Sequence, residues 1–391
     1  MQKLSNRLLS IDVLRAVTMF LMIFVNDLYL TKNIPLWIDH ADGNADALGF
    51  ADIIFPAFLF ILGLSLPFAI NSRIKKGEST MQILAYILSR SAALLIMGFY
   101  HVNLEEYNSK SALIPAAAWA LIITTAFFLI WLDYPETIKK STKHTLIGFG
   151  IVLLIAMAAI YKGGTPEHPV WMQTSWWGIL GIIGWSYLVC ALIYFASKGN
   201  MAVLACALAV FVAINIANHT GILPDQLWVI GDGSAMALTM GGVIISRLYT
   251  RWMGEGKAVR VSTAFLIIGV LLIAAGLLIR PYADGISKIR STPAWVFICS
   301  GITILVFNLF IYVVDIQGKK NLFKTIRPAG TSTLTCYLIP YYWVFLLKLF
   351  HLKYAYVINN GAVGLLRAVI VSLVTILLVG LMEKKHLRLK I

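Results

Sequence analysis

Charge is scarce in this chain. Only 13% of its 391 residues are charged, while 59% are hydrophobic. Soluble domains run about 25% charged and about 45–50% apolar, so a soluble globular chain is excluded. Acidic side chains are the rarest class, 18 against 32 Lys and Arg, for a net charge of +14. Cysteine is nearly absent. Cys190, Cys206, Cys299 and Cys336 all fall in apolar runs, without metal-ligand spacing or a disulfide framework, and read as small buried hydrophobes. No phosphate-binding or dinucleotide-binding glycine fingerprint opens a helix. No loop is long enough for a soluble domain, and no internal repeat recurs in register.

What is present is long, unbroken apolar sequence. Helices need roughly 20 apolar residues to cross the hydrocarbon core. Membrane barrels would show alternation instead. Candidate spans fall near 12–31, 50–70, 82–101, 112–132, 145–161, 176–196, 201–217, 233–249, 261–279, 294–314, 330–350 and 362–382. The expected fold is therefore an all-α polytopic bundle of ten to twelve spans, forming a single domain over residues 1–391. Lys3 and Arg7 precede the first run, as in a secretory signal, but Asp12 and Arg15 lie within it and no small-residue cleavage site follows. A retained helix is expected.

Alternating the spans places most Lys and Arg on one side, including Arg73, Lys75, Lys76, Arg327 and Lys384. The positive-inside rule then puts both termini in the cytoplasm and the loop at 32–49 outside. This explains the basic charge without a nucleic-acid partner. The expected setting is the bilayer of a bacterial inner membrane, with that loop on the periplasmic side.

The loop holds His40 among Asp39, Asp42, Asn44 and Asp46, flanked by Asn26, Asp27 and Asp52. Imidazole accepts a proton near neutral pH or attacks a carbonyl, and a carboxylate can orient it. A solvated loop histidine fits the pattern equally well. Metal binding is the weaker alternative, because no fixed ligand spacing appears, and no metal is expected. Asn26 suits an oxyanion or a helix end at the headgroups. Asp52 suits a helix N-terminus. Arg15 pairs with Asp12 at i, i+3 or meets an anion. Arg90 lies inside a span and must face a partner or a polar cavity. Trp176, Trp177, Trp185 and Tyr187 read as an interfacial belt or a sugar-stacking platform. Thr331, Ser332, Thr333, Thr335 and Tyr337 bond between helices or line a channel.

The N-terminal block resembles the heparan-alpha-glucosaminide N-acetyltransferase family. The matching residues are RLLSIDVLRA at 7–16, FVN at 24–26, His40 and ADIIFPAFLF at 51–60. Thinner matches are RS at 90–91, VN at 102–103, VDIQG at 314–318 and GTSTLTCY at 330–337. The resemblance implies acetyl transfer from acetyl-CoA to a sugar amine across the membrane. It marks His40 as catalytic and Asn26 as its assistant; Asp52 or a loop Asp is the expected supporting carboxylate. CoA phosphates are expected near Arg73, Lys76, Arg327, Arg15, Arg90 and Ser332. Acceptor contacts are expected at Asp27, Asp42 and Trp177. A homodimer is admitted. The rival reading is a secondary transporter or flippase for a sugar or small anion, which would show broken helices and paired halves.

Overall fold

The computed structural model describes residues 9–29, 31–223 and 226–391. Lys3 and Arg7, and the start of the 7–16 block, lie outside the described residues. The described residues are dominated by helices: α1 Leu9–Leu28, α2 Ala51–Lys75, α3 Thr80–Val102, α4 Ala116–Trp131, α5 Lys140–Ala159, α6 Gly178–Ala196 and α7 Met201–His219. Then come α8 Ser234–Gly254, α9 Ala258–Ile279, α10 Pro293–Phe310, the short α11 Arg327–Thr331, α12 Thr333–Leu349 and α13 Gly361–Lys384. The strands described are one two-residue hairpin, Gly163–Gly164 with Pro169–Val170.

Among the described residues, nine helices are long and apolar enough to cross a membrane by length and composition. The apolar α4 and α12 are shorter, and α8 carries Arg247 and Arg251. The structure corrects the expected single span at 330–350. The chain breaks at Ser332 (φ −127°, ψ 45°), so α11 ends at Thr331 and α12 starts at Thr333. Pro328 opens α11 and suits a first turn, where its missing N–H costs nothing. Likewise Pro115 ends the preceding loop, so α4 starts four residues later than the apolar run suggests.

The middle of the bundle is α2, which packs on α1, α6, α8 and α10. It is apolar around its whole circumference and buries Phe60, Ile61, Leu64 and Ile70. In lipid there is little hydrophobic drive between helices, so close packing must come from small residues. That is what α2 and α8 use. A Cβ on Gly63 would collide with the Thr239 carbonyl, and one on Gly242 with the Phe60 carbonyl. The pair α3 and α6 does the same through Gly98 and Gly181. Across the bundle, Arg367 of α13 holds Asp27 of α1 at 2.9 Å, both nearly buried. A charge at that depth needs such a partner.

Two cavities flank α2. One has a volume of about 730 Å³ and opens by His40. The other, about 420 Å³, lies towards the start of α1 and the end of α2. Met22 of α1 and Ile179 of α6 line both, so the two abut there.

Candidate active site

The site is built on the first turn of α2. Asp52 is 2% exposed, and both its carboxylate oxygens are engaged. One oxygen, Oδ1, accepts from His40 Nδ1 at 2.6 Å. The other, Oδ2, accepts from the backbone N–H groups of Ala41 and Gly49, each at 3.0 Å. The helix N-terminus adds its own positive field. Trp295 Nε1, from α10, donates to the Asp52 carbonyl at 3.1 Å. The acid is thus pinned from both ends.

The loop before α2 is folded onto that acid. At Gly49 the Asp39 carbonyl occupies the space of a Cβ, so the two strands of the loop pass in direct contact. Only glycine fits there. Asp39 itself caps the His40 N–H at 2.7 Å. The His40 side chain remains 41% exposed, so its ring is fixed on one edge and open on the other.

A distant segment completes the wall. The loop between α9 and α10 is clamped onto the His40 loop through Asp46. Arg280 grips that carboxylate at 2.8 Å, and the Ile286 N–H donates to it at 2.6 Å. These contacts, the Ile286 N–H first and Arg280 next, hold the Asp46 carboxyl below the usual carboxylate range. The clamp brings Lys288 Nζ to 3.3 Å from His40 Nδ1. Burial pushes the Lys288 ammonium below its ordinary range, although the Asp52 charge pulls the other way.

The rest of the His40 cavity is aromatic. Trp176, Trp177, Trp185, Trp228 and Trp295 line it, with Asn26 and Asp232. Trp177 and Trp185 meet edge to face at 5.4 Å, and Trp185 lies 6.0 Å from Trp228. Trp177 is held at φ 67°, where a side chain is rarely found. Asp232 accepts from the N–H and hydroxyl of Ser234 at 3.0 and 2.6 Å. Burial nevertheless raises its pKa.

The second cavity is cationic at its polar end. Arg15, Arg90, Arg388 and Lys390 line it, with Thr331, Ser332 and Thr333 at the helix break. Arg15 bonds Asp12 at 3.2 Å, the Gly330 carbonyl at 3.0 Å and the Ser65 hydroxyl. Arg90 reaches the Tyr86 hydroxyl at 3.2 Å and stacks 5.0 Å from the Tyr187 ring. Among the described residues, the buried Arg90 Nε and Ser332 Oγ have no hydrogen-bond partner. Buried donors are normally satisfied, and both residues belong to this cavity's wall, which suits a ligand rich in acceptors.

The sequence-predicted residues therefore divide. His40, Asn26 and Trp177 line the first cavity, and Asp52 holds His40 from behind. Arg15, Arg90 and Ser332 line the second. The others lie elsewhere. Arg73 is spent on Glu78 at 2.7 Å and lies 3.5 Å over the Tyr86 ring. Lys76 and Arg327 are exposed and line neither cavity. Asp27 is taken by Arg367, and Asp42 accepts from the Asn44 N–H at 2.9 Å in the exposed loop. Sequence reasoning missed Lys288, Asp232, Arg388 and Lys390. Each lies far along the chain from the block it joins, and none sits in a motif. Among the described residues, no three His, Cys, Asp or Glu side chains converge on a metal position.

The family model described as "Domain of unknown function (DUF5009)" matches residues 7–229. The chain belongs to that family. Two curated relatives match as well. Heparan-alpha-glucosaminide N-acetyltransferase of Mus musculus is 33% identical over 142 residues, covering 34% of this chain and 21% of the relative. The same enzyme of Homo sapiens is 35% identical over 97 residues, covering 25% of this chain and 14% of the relative. The matched region thus spans about a fifth or less of those relatives' length. A relationship between this DUF5009 chain and that acetyltransferase family is nonetheless shown. The family match contains His40, Asp52, Asn26, Arg15, Arg90 and Trp177, but not Lys288, Asp232, Ser332 or the C-terminal Arg388 and Lys390.

Proposed function

We propose that this chain is a membrane-embedded acetyltransferase. It takes an acetyl group from acetyl-CoA in the cationic cavity and passes it to an amine or hydroxyl of a sugar in the His40 cavity. One observation carries the reading. His40, held from behind by Asp52, lines a cavity that abuts a second cavity lined by Arg15, Arg90 and Ser332. Acyl transfer from a thioester to a sugar needs a site for an anionic, elongated donor. It also needs a base beside the acceptor.

Each part has a physical task. Phosphate groups of the donor meet Arg15, Arg90 and the first turn of α12, where charge-assisted bonds and free N–H groups favour anions. The arm bearing the thioester then runs past Met22 and Ile179. At the far end, the open edge of His40 takes the proton from the acceptor as it attacks the acetyl carbon. Asp52 accepts from Nδ1, which fixes the tautomer and steadies the imidazolium that forms. Asn26 donates towards the developing oxyanion. The tryptophans offer flat faces to a sugar ring. The His40 step runs equally well as direct transfer or through an acetyl-imidazole.

Sidedness follows from the basic segments. With the Arg15 end in the cytoplasm, where CoA thioesters are made, the acceptor lies on the outer, periplasmic face of a bacterial inner membrane. The helix break at Ser332 also suits a transporter, since such breaks line substrate sites there. Reconstituted vesicles separate the two. Given acetyl-CoA on the Arg15 side and an amino sugar on the other, the protein should form acetylated sugar, and His40→Ala should abolish it. Sugar that crosses unmodified, or full transfer by His40→Ala, overturns the reading.

A further inference from the structure

The His40 cavity already contains a primary amine. Lys288 is the lysine in its lining among the described residues. Its Nζ stands 3.3 Å from His40 Nδ1, on the ring edge that Asp52 holds, within the wall of the same cavity. Three observations fix it there. Asp46 clamps the loop through Arg280 and Ile286. The Ser287 hydroxyl reaches the Gly43 carbonyl at 3.4 Å. The Ala47 N–H donates to the Ile286 carbonyl at 3.1 Å. Lys288 is therefore held against the His40 loop from the residues on either side of it.

We infer that Lys288 is a self-acetylation site, modified by the CoA thioester when no acceptor fills the cavity. This rests on the donor half of the proposed function. Burial lowers the ammonium's pKa, which enlarges the neutral, nucleophilic fraction. The neutral Nζ attacks the acetyl carbon. A C–N bond forms and the C–S bond breaks. The proton shed by Nζ goes to the departing thiolate, giving an acetamide and free CoA. No further reactant is consumed. The product places an uncharged acetamide beside Asp52 and narrows the cavity, so an enzyme short of acceptor closes its own site.

The test uses the purified full chain, radiolabelled acetyl-CoA and no sugar. After acid quench and neutral hydroxylamine, which strips acetyl-imidazole but not acetamide, peptides are mapped by mass spectrometry. Label is expected on Lys288 at a rate roughly tenfold or more above exposed Lys110 and Lys353, because proximity raises the effective concentration of the amine. An amino sugar should slow it. Lys288→Arg keeps the positive charge and should lose the stable label. Sugar acetylated while Lys288 labels no faster than Lys110 sinks this inference and leaves the proposed function standing. Lys288 labelled while no sugar is ever acetylated keeps the inference and sinks the acceptor reading. Neither labelled sinks both.

Discussion

His40 and Asp52 are twelve residues apart and meet at 2.6 Å, with the acid buried and the imidazole open on its far edge. Both Asp52 oxygens are engaged, because two backbone N–H groups hold the other one. Asp52→Asn would replace an acceptor by an NH₂ group facing either those N–H groups or His40. Acetyl transfer should fall by about 10²–10⁴-fold, the range lost with a general base. The KM for acetyl-CoA should hardly move. Initial rates in vesicles, with folding checked by thermal stability, decide this. Activity near wild type would show that the pair is structural.

Gly49 tests the same pairing from the loop. Alanine there drives a Cβ into the Asp39 carbonyl, and backbone cannot give way as a side chain can. Gly49→Ala should cost about 1–3 kcal/mol by overpacking. It should also reduce transfer by moving His40 off Asp52. Thermal unfolding in detergent, followed by rates on the folded fraction, measures both. An alanine variant with native stability and rate would contradict the close contact.

The cationic cavity predicts donor affinity. Arg90 lines it, and among the described residues its buried Nε has no hydrogen-bond partner, so Arg90→Ala should lose about 1.5–3 kcal/mol of CoA binding, roughly 10- to 100-fold in Kd. Arg73→Ala and Lys76→Ala should change it little, since neither side chain lines the cavity. Calorimetry with CoA on the three variants separates these outcomes. Equal losses in all three would move the donor to the surface.

The C-terminal segment forms part of that cavity's wall. The Leu389 N–H donates to the Thr335 hydroxyl at 2.9 Å, and Asp133 binds Arg388 and Lys390 at 3.1 and 3.0 Å. Burial alone would raise the Asp133 carboxyl, but Lys390 and Arg388 outweigh it and hold it below its ordinary value. A depressed folded pKa contributes stability above the unfolded value and loses it as pH falls through the folded one. The segment should therefore stay docked from neutral pH down to about pH 4 and loosen only below, since unpaired Asp titrates near 3.9. Asp133→Asn should loosen it at neutral pH. Hydrogen exchange across 386–391 reads both. Release already at pH 6 would mean that another group sets the docking.

The Arg15 face, the His40 loop and the order of the helices were legible in the sequence because they obey local rules. Apolar runs at bilayer length give helices wherever they occur. Asn26, His40 and Asp52 stand out because polar residues at membrane depth are costly. Arg73, Lys76 and Arg327 looked equally suited to a phosphate, as charge and sidedness are all that composition conveys. The bundle distinguishes them, because Glu78 and Tyr86 occupy Arg73 while Lys76 and Arg327 stay in the open.

By itself, then, the amino-acid order determined an all-helical membrane chain with its polar groups gathered around residues 26–52. Tertiary structure decided which polar groups share a cavity. Lys288 reaches His40 across 248 residues only because Asp46 clamps the loop, and Arg388 joins Arg90 only because Asp133 turns the chain back. Such partners are set by the packing of distant helices, and no periodicity or spacing along the chain carries that information.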